Sequence, residues 1–303
     1  MTDGIQEGRS STMKTFDVEV DNGERFEFGK NWRSFLLVLN DERIAIAETS
    51  IKVMLEVEDL QKKSVLDIGS GSGLFSLAAR NLGATVHSFD YDPASVTCTQ
   101  ELRARYHPDD QNWIIEKGSV LDKEFIRSLG TFDLVYSWGV LHHTGDMWTA
   151  IDHAASCVNG NGTLFIALYN DQGTRSRLWA SVKKLYCSGV VGKALTSSIF
   201  IPYLCAATLK SCVRQRENLF ASYRKNRGMS IMHDWFDWLG GFPFEVASVA
   251  QVVRFLRQRG FGLQNITTTH TLGCNEFVFG RQTKHSTVRS GPEMTTEELI
   301  VRR

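Results

Sequence analysis

The stretch of this sequence whose residue types and spacing best suit chemistry is a glycine-rich turn between two aspartates. The segment VLDIGSGSG passes from Val65 into a turn at Gly69 and Gly71, and the next apolar run, TVHSFD, ends in Asp90. Glycine permits a tight strand-to-helix turn and lets a ligand approach the backbone without meeting a side chain. An acid at the tip of the second strand can accept both hydroxyls of a ribose. The segment therefore predicts a site for a ribose-containing ligand.

The spacing of the glycines and the charged residue before them narrow the class of ligand further. Dinucleotide sites favour GxGxxG and place a pyrophosphate at the helix N-terminus, whereas this turn reads GxGxG and follows Asp67. The carboxylate of Asp67 would repel a pyrophosphate and attract a cationic amine or sulfonium. An NAD-linked dehydrogenase is therefore the least favoured interpretation.

The same segment resembles the first motif of the class I S-adenosylmethionine-dependent methyltransferases, VLDIGSGSG, and FDLVYSWGVLHH resembles their fourth-strand motif. The resemblance covers residues 61–170. It implies a methyltransferase (EC 2.1.1.-) of Rossmann-like fold that uses S-adenosyl-L-methionine as its cofactor.

The resemblance also implies a set of cofactor-binding residues. The glycine turn and Asp67 would contact the methionine end of the donor, Asp90 the ribose hydroxyls, and Tyr91 the adenine. The implied set is Asp67, Gly69, Ser70, Gly71, Gly73, Asp90, Tyr91, Ser119, Val120, Ser137 and Trp138. Within it, Ser119 and Val120 lie where the family reads the adenine edge. Ser137 and Trp138 fall beside the methyl group, and FGKNW, residues 28–32, is a candidate to close over the donor.

Two adjacent histidines follow the fourth strand and are the candidate catalytic residues. His142 and His143 stand in GVLHHTG, where a base could reach the methyl group. A hydroxyl or ammonium acceptor must lose a proton, and histidine is the usual group for that task. The alternative to a catalytic role is a structural one, with one histidine packed under a helix and the other exposed.

Polar residues after the next strand are candidates for the other wall of the site. Tyr169 and Asn170 end the apolar run GTLFIALYN, and strand ends on the carboxyl edge of a parallel sheet face the ligand crevice. Arg175 and Arg177 follow, and an arginine can bind a substrate carboxylate through two hydrogen bonds. Their alternative role is an exposed helix face.

The segment SIMHDWFDWLGGFPFE, residues 230–245, combines aromatic rings with carboxylates. Such a set can exclude water, stack on an acceptor and hold an ammonium or a developing cation. Its predicted substrate-binding residues are His233, Asp234, Trp235, Trp238 and Glu245. The aromatic residues could equally be the small core of a lid and the acids its helix caps.

These residues require a sheet whose strand ends meet at one edge. Short apolar runs alternate with helical patterns from residue 64 onward, which predicts a parallel, doubly wound sheet covered on both faces. We therefore predict an α/β, Rossmann-like fold with a mostly parallel seven-stranded sheet and an antiparallel edge strand. An N-terminal β-ribbon with helices and a helical lid insertion complete it. The ribbon is predicted from the alternation around Asn22-Gly23, a strong hairpin signal.

The predicted organisation has five parts. Residues 1–60 hold a tail, the β-hairpin and helices, and residues 61–170 the cofactor-binding core. Residues 171–245 form a helical lid that leaves and rejoins the ligand-facing edge. The core resumes in residues 246–282 with a helix and two edge strands, and residues 283–303 are a polar tail.

Composition limits the partners. Lys+Arg and Asp+Glu are equal at 34 each, so the chain lacks the positive field used in nonspecific nucleic-acid binding. Six cysteines without a CxxC pair, and no leader, predict a reduced cytoplasmic protein without bound metal. The longest apolar stretch is interrupted by Lys193 and Pro202, so no stable membrane insertion is expected. A homodimer is possible.

The leading hypothesis is methylation of oxygen or nitrogen on a small polar metabolite, with His142 or His143 as base. The alternative is methylation of a thioether sulfur, as in methionine or a related amino acid, which needs no base and yields a sulfonium. An RNA or protein methyltransferase is less favoured, because such an enzyme needs a basic groove or a recognition domain. A noncatalytic donor-binding protein is a further alternative.

Overall fold

A seven-stranded sheet with helices on both faces forms the body of the protein. The structure is a computed structural model and describes residues 15–215 and 238–282. The strand order is β3-β2-β1-β4-β5-β7-β6, with β1 to β5 parallel. Strand β7 runs antiparallel to both of its neighbours, and β6 outside it forms the edge. The predicted fold class is confirmed, and β7 supplies the antiparallel strand.

The strands are β1 Ser64–Ile68, β2 Thr85–Asp90, β3 Trp113–Lys117, β4 Phe132–Trp138, β5 Val158–Tyr169, β6 Phe261–Thr267 and β7 Cys274–Arg281. The helices are α1 Phe16–Asp21, α2 Gly29–Leu36, α3 Asp41–Leu55, α4 Leu74–Asn81, α5 Pro93–Tyr106, α6 Lys123–Leu129, α7 Met147–Ser156, α8 Thr174–Cys187, α9 Val190–Gln215 and α10 Val249–Arg257. A 3-10 turn spans Leu141–His143.

The core is divided by the sheet into two apolar layers. In β1, Val65 packs with α3, α4 and α5 on one face, while Leu66 and Ile68 pack with α7 and α10 on the other. Successive side chains of a strand point to opposite faces, so an unbroken apolar run is what a strand buried on both faces requires. The helices thereby hold the carboxyl ends of β1, β2 and β4 at one edge.

The predicted N-terminal β-hairpin is wrong, since this segment is helical. Helix α1 ends at Asn22, and Gly23 follows with φ of 69°. The amide of Glu24 donates to the carbonyl of Glu19 at 2.8 Å, and that of Gly23 to Val20 at 2.9 Å. These two bonds make a Schellman cap, in which a left-handed glycine ends a helix. The Asn-Gly pair therefore ends a helix instead of turning a hairpin.

The insertion leaves and rejoins the sheet at one point. The amide of Asp171 donates to the carbonyl of Ala247 at 3.2 Å, and the amide of Ala247 donates to that of Tyr169 at 3.0 Å. Between these residues, α8 and α9 form an antiparallel pair. Within the part of the chain that the structure describes, one helix is long and apolar enough to cross a membrane, over Val190–Lys210 of α9. The predicted tails, residues 1–14 and 283–303, lie outside the described residues.

Candidate active site

The glycine turn places bare backbone at the carboxyl end of β1. The amides of Gly69 and Ser70 donate to the carbonyl of Phe89 at 2.8 and 3.1 Å, which fixes the turn against β2. Gly69 and Gly71 have φ of 78° and 56°, a region that side chains other than glycine rarely adopt. A Cβ on Gly71 would lie 3.1 Å from the ring of Trp32. A side chain at Gly71 would therefore crowd Trp32 and fill the space over the turn.

Asp90 closes the turn from the neighbouring strand. One carboxylate oxygen accepts from the amide of Gly71 at 2.9 Å and the other from the amide of Asp92 at 2.9 Å. Each oxygen has a second lone pair, so both can still accept from ribose hydroxyls. Burial raises the pKa of Asp90 to about 6 despite these hydrogen bonds. A ligand that interacts favourably with the ionised form of Asp90 would therefore be stabilised by this carboxylate.

Asp67 lies deeper, at one end of a buried polar chain. Its carboxylate accepts from the hydroxyl of Ser76, which is 2.7 Å from the hydroxyl of Ser88. Ser88 in turn accepts from the indole N–H of Trp113 at 2.9 Å. Burial raises the pKa of Asp67 to about 7, the Ser76 bond opposes this, and the charge of Asp90 adds to it. The sequence analysis missed the serines, although polar residues at inward positions of α4 and β2 were a usable signal.

The predicted adenine-side residues lie together beside Asp90. The carbonyl of Asp90 accepts from Gly118 at 3.0 Å, which brings the loop after β3 next to the end of β2. In that loop Ser119 accepts from the amide of Leu121 at 3.2 Å, and Val120 is buried. Two other predicted residues lie in the glycine turn itself. The hydroxyls of Ser70 and Thr99 are hydrogen-bonded at 2.9 Å, and Gly73 is the N-cap residue of α4.

Ser137 and Trp138 point in different directions from the end of β4. The hydroxyl of Ser137 donates to the carbonyl of Ile68 at 2.9 Å and ties β4 to β1 beneath the turn. The indole of Trp138 donates to Glu276 of β7 at 2.7 Å, and the side chain is 37% exposed. The geometry therefore gives Ser137 a bracing contact under the site and directs Trp138 toward β7.

The N-terminal segment lies over the turn, and the closure of residues 28–32 over the donor stays a prediction. The amide of Gly29 donates to Asp92 at 2.7 Å, and Trp32 lies over Gly71. Arg25 was not predicted. Its guanidinium donates to the carbonyl of His143 at 2.9 Å and lies 5.0 Å from the ring of Tyr91. Arg25 thus connects the donor side of the site with the histidine loop.

Both histidines are buried and neutral. The Nδ1 of His142 accepts from the amide of Tyr169 at 3.3 Å, and its Nε2 is buried with no hydrogen-bond partner among the described residues. The Nδ1 of His143 donates to the carbonyl of Pro243 at 2.6 Å, which leaves its Nε2 as the acceptor. Burial lowers the pKa of His142 well below its usual value and that of His143 to about 3. The charge of Lys183 lowers both pKa values further.

Tyr169 joins the histidines to a cleft. Its ring lies 4.1 Å from that of His142 and 5.0 Å from that of Phe244, between ring centroids. The cleft has a volume of about 510 Å³ and is lined by residues that include Phe244, Glu245 and Arg177. Burial raises the pKa of Glu245, whose carboxylate accepts from the amide of Met147 at 2.9 Å. Three predicted substrate residues thus lie in or beside one cavity that carries both signs of charge.

Lys183 is a buried cation that the sequence analysis missed. Its ammonium donates to the carbonyl of Trp238 and lies 5.0 Å from the ring centroids of both Trp238 and Phe244. The prediction that these rings stack on an acceptor or its cation therefore needs correction, because they already face a cation of the chain itself. The sequence VKKLY gave no sign of this, since one of two adjacent lysines on a helix usually faces solvent.

Other predicted substrate residues lie apart from this cavity or outside the description. The side chain of Asn170 donates to the carbonyl of Thr269 at 2.8 Å and accepts from Asn275 at 3.2 Å, so it fastens the β6–β7 loop. Arg175 is exposed on α8. His233, Asp234 and Trp235 lie outside the described residues.

The donor-side residues fit S-adenosylmethionine. The glycine turn offers backbone without side chains, and Asp90 keeps lone pairs for a ribose. Asp67 is buried and Asp90 half-buried. Both carboxylates have raised pKa values, and a cationic ligand would draw them toward the ionised form.

Comparison with known proteins agrees with this fit. The family model described as a methyltransferase domain matches residues 41–216, more than half of the chain. A ubiquinone biosynthesis O-methyltransferase from Histophilus somni is 27% identical over 123 residues, which cover 39% of this chain and 50% of that protein. A ribosomal protein L11 methyltransferase from Methylococcus capsulatus is 39% identical over 69 residues, 22% of this chain and 24% of that protein. The matches thus span half or less of these relatives.

A solved structure shows the same fold at larger coverage. The magnesium protoporphyrin IX methyltransferase ChlM from Synechocystis PCC 6803, with bound SAM, has a TM-score of 0.52 and 13% identity. The alignment covers 90% of this chain and 99% of that one. The chain therefore belongs to the methyltransferase-domain family and has the fold of the class I S-adenosylmethionine-dependent methyltransferases.

Proposed function

We propose that this protein transfers a methyl group from S-adenosylmethionine to oxygen or nitrogen of a small polar metabolite, and that oxygen is the better supported atom. The observation that carries the proposal is His143, whose Nδ1–H is held by Pro243 so that Nε2 keeps its lone pair. The base therefore has a fixed tautomer, and its ring lies 5.5 Å from that of Tyr169 between centroids. When bound, S-adenosylmethionine supplies a methyl carbon already activated by its sulfonium.

The pKa of His143 favours oxygen over nitrogen. With a pKa of about 3, this imidazole cannot take a proton from an ordinary ammonium, whose pKa lies far higher. A hydroxyl becomes strongly acidic as its oxygen gains the methyl group, so even a weak base can accept the proton. In this proposal the acceptor proton passes to Nε2 of His143, while Tyr169 and Phe244 exclude water.

The charges of the cleft support a polar acceptor. Arg177 and Glu245 line it with opposite charges. The thioether alternative needs no base and drew on a lid of aromatic rings and acids that would suit a sulfonium; of those rings, Trp238 and Phe244 face Lys183. A second cation near the same rings would be repelled at short range. These two rings therefore give the thioether hypothesis no support.

The proposal is tested by incubating the protein with methyl-labelled S-adenosylmethionine and pooled metabolites and identifying the labelled products by mass spectrometry. A labelled product with a new O-methyl group is expected. A product with a fixed positive charge on sulfur would overturn the proposal, as would label that enters only RNA or protein when a cell extract is added.

The role of His143 is tested with two variants that differ in which ring nitrogen they mimic. The amide NH2 in His143→Asn can keep the bond to Pro243 but provides no group at Nε2, whereas His143→Gln places a group near Nε2 and loses the bond. We expect kcat of His143→Asn to fall by roughly 10²- to 10⁴-fold, the usual contribution of general acid-base catalysis. Donor affinity, measured by calorimetry, should stay unchanged. A near-normal kcat would remove His143 as the base.

A further inference from the structure

The pair α8–α9, residues 174–215, is cationic in a chain whose net charge is zero. We call it the helical hairpin. Between Gln172 and Gln215 the sequence contains seven Lys or Arg and no Asp or Glu, while the whole chain has 34 of each kind. Lys184, Lys193 and Lys210 are exposed along it. The hairpin therefore carries a net positive charge, which the rest of the chain balances with a net negative one.

The hairpin also exposes large apolar side chains. Val190 and Val191 are 85% and 81% exposed, and four further residues of α9 are more than half exposed. These four are Leu195, Ile199, Tyr203 and Leu209. The stretch Val190–Lys210 has the length and composition of a membrane span, yet only 11% of it is buried. Soluble monomers rarely leave so large an apolar surface uncovered, which marks it as an interaction surface.

The inner face of α9 is fixed, so the apolar residues are presented outward by a supported helix. The rings of Trp179 and Phe200 join α8 to α9 with centroids 5.0 Å apart. The ammonium of Lys193 lies 5.4 Å from the ring of Tyr186, which is buried. Lys183 in turn fastens α8 to the carbonyl of Trp238. Contacts with α8 thus hold the inner side of α9, and among the described residues the apolar side chains on its other side are exposed.

We propose that this face docks the protein onto the surface of a bilayer that contains anionic lipids. A helix with apolar residues on one side and lysines beside them lies in the interface, with the lysine chains reaching back to the headgroups. Anionic headgroups attract basic residues near the surface. A spanning arrangement is disfavoured because the inner side of α9 is held against α8.

The positive charge of the helical hairpin distinguishes between two partners that would cover its apolar side chains, a second copy of the chain and a lipid surface. A second copy of this chain would bring one cationic hairpin against another, and like charges at short range oppose such a contact. An anionic lipid surface satisfies the apolar residues and the lysines together. The proposal concerns docking alone and does not depend on the methyl acceptor.

The test is co-sedimentation of the purified full chain with vesicles of phosphatidylcholine, with and without phosphatidylglycerol, at low and high salt. We expect binding to the anionic vesicles that weakens as salt rises. The apolar variant Leu195→Gln/Ile199→Gln and the charge variant Lys184→Gln/Lys210→Gln should each lower the partition coefficient by roughly tenfold or more. S-adenosylmethionine affinity, measured in parallel, should be the same in all variants.

Matched controls carry the same chemistry outside the hairpin. Leu37 and Val53 are 83% and 65% exposed, so Leu37→Gln/Val53→Gln removes similar apolar surface, and Lys62→Gln/Lys123→Gln removes the same charge. Both controls should bind vesicles like the unaltered protein.

Three results would overturn the proposal. They are no binding to anionic vesicles, equal loss in the hairpin variants and the controls, or a dimer that the apolar variant dissociates while vesicle binding is unaffected. A lower Tm in the apolar variant without a change in partition would count against it too, because α9 would then be packing against its own chain.

Discussion

The same residue types have opposite environments in the central strands and in the helical hairpin. Val65 and Leu66 of β1 are 2% and 0% exposed, whereas Val190 and Val191 of α9 are 85% and 81% exposed. In the central strands, the apolar side chains pack against helices on both faces of the sheet, so burial is decided within the chain. In the hairpin, α8 packs against one side of α9, and among the described residues the apolar side chains on the other side are exposed. Apolar content therefore indicates a core in one region and an exposed surface in the other.

The largest effect is expected where the backbone itself forms the site. Gly71→Val should abolish donor binding, lowering affinity by more than about 100-fold, because the position has φ of 56° and the new side chain would meet Trp32. Isothermal calorimetry measures the affinity. The control is Gly130→Val, where φ is 78° and nothing lies within 4 Å of an added Cβ, so that backbone strain occurs without a blocked site. Normal donor affinity in Gly71→Val would contradict the assignment of the turn as the donor-binding site.

A pair of leucines tests the comparison directly through stability. Leu77→Ala removes a fully buried side chain from α4 and should cost about 2–5 kcal/mol in the free energy of unfolding. Leu195→Ala, at a position 51% exposed, should change that free energy by about 0.5 kcal/mol or less. Urea denaturation measures both. Equal costs would mean that the hairpin is packed like the core.

Asp90→Ala should weaken donor binding by more than about 1 kcal/mol, since hydrogen bonds to a charged group contribute about 1.5–3 kcal/mol. Asp133→Ala is the control, because Asp133 also accepts from a backbone amide, that of Ser64 at 2.8 Å, but at the amino end of β1. The control should lose stability and keep its donor affinity. Unchanged affinity in Asp90→Ala would exclude it from the ribose site.

The donor site also predicts a pH dependence of donor affinity. Asp67 and Asp90 have pKa values of about 7 and about 6, and a cationic donor favours their ionised forms. Affinity should therefore rise as pH goes from 5 to 8, by at most about tenfold per pH unit for each linked proton. Calorimetry in buffers of different ionisation enthalpy counts the protons released. Asp67→Asn should flatten the curve near pH 7, and an unaltered curve would contradict the assignment.

Melting temperature is a poorer readout of these carboxyls. Their folded pKa values lie above the unfolded value of 3.8, so their contribution to stability falls as pH rises from about 4 to about 7. His143 has a folded pKa of about 3, below its usual 6.5, so its contribution falls as pH is lowered through that range. The two effects oppose each other in the unfolding free energy, and ligand binding separates them.

The sequence predicted what local chemistry determines and failed where distant contacts decide. The turn at Gly69 and the end of β2 at Asp90 follow from strand patterns and glycine spacing, and both lie where expected. The Asn22-Gly23 pair misled because the same dihedral angles serve a hairpin or a helix cap, and packing makes the choice. Lys183 could not be recognised, because its burial depends on Trp238, which is far away in the sequence.

The closure at the base of the insertion has a consequence for the history and the engineering of this protein. Asn170 and Ala247 form a parallel bridge, so the chain leaves and re-enters the sheet across one pair of residues. Hydrogen bonds of the sheet, not contacts within the insertion, hold this junction closed. Residues 171–246 therefore begin and end at neighbouring positions of the sheet. Another insertion could be joined across the same pair, but it would need to supply the carbonyl of Pro243 that holds His143 and the carboxylate of Glu245 that accepts from Met147.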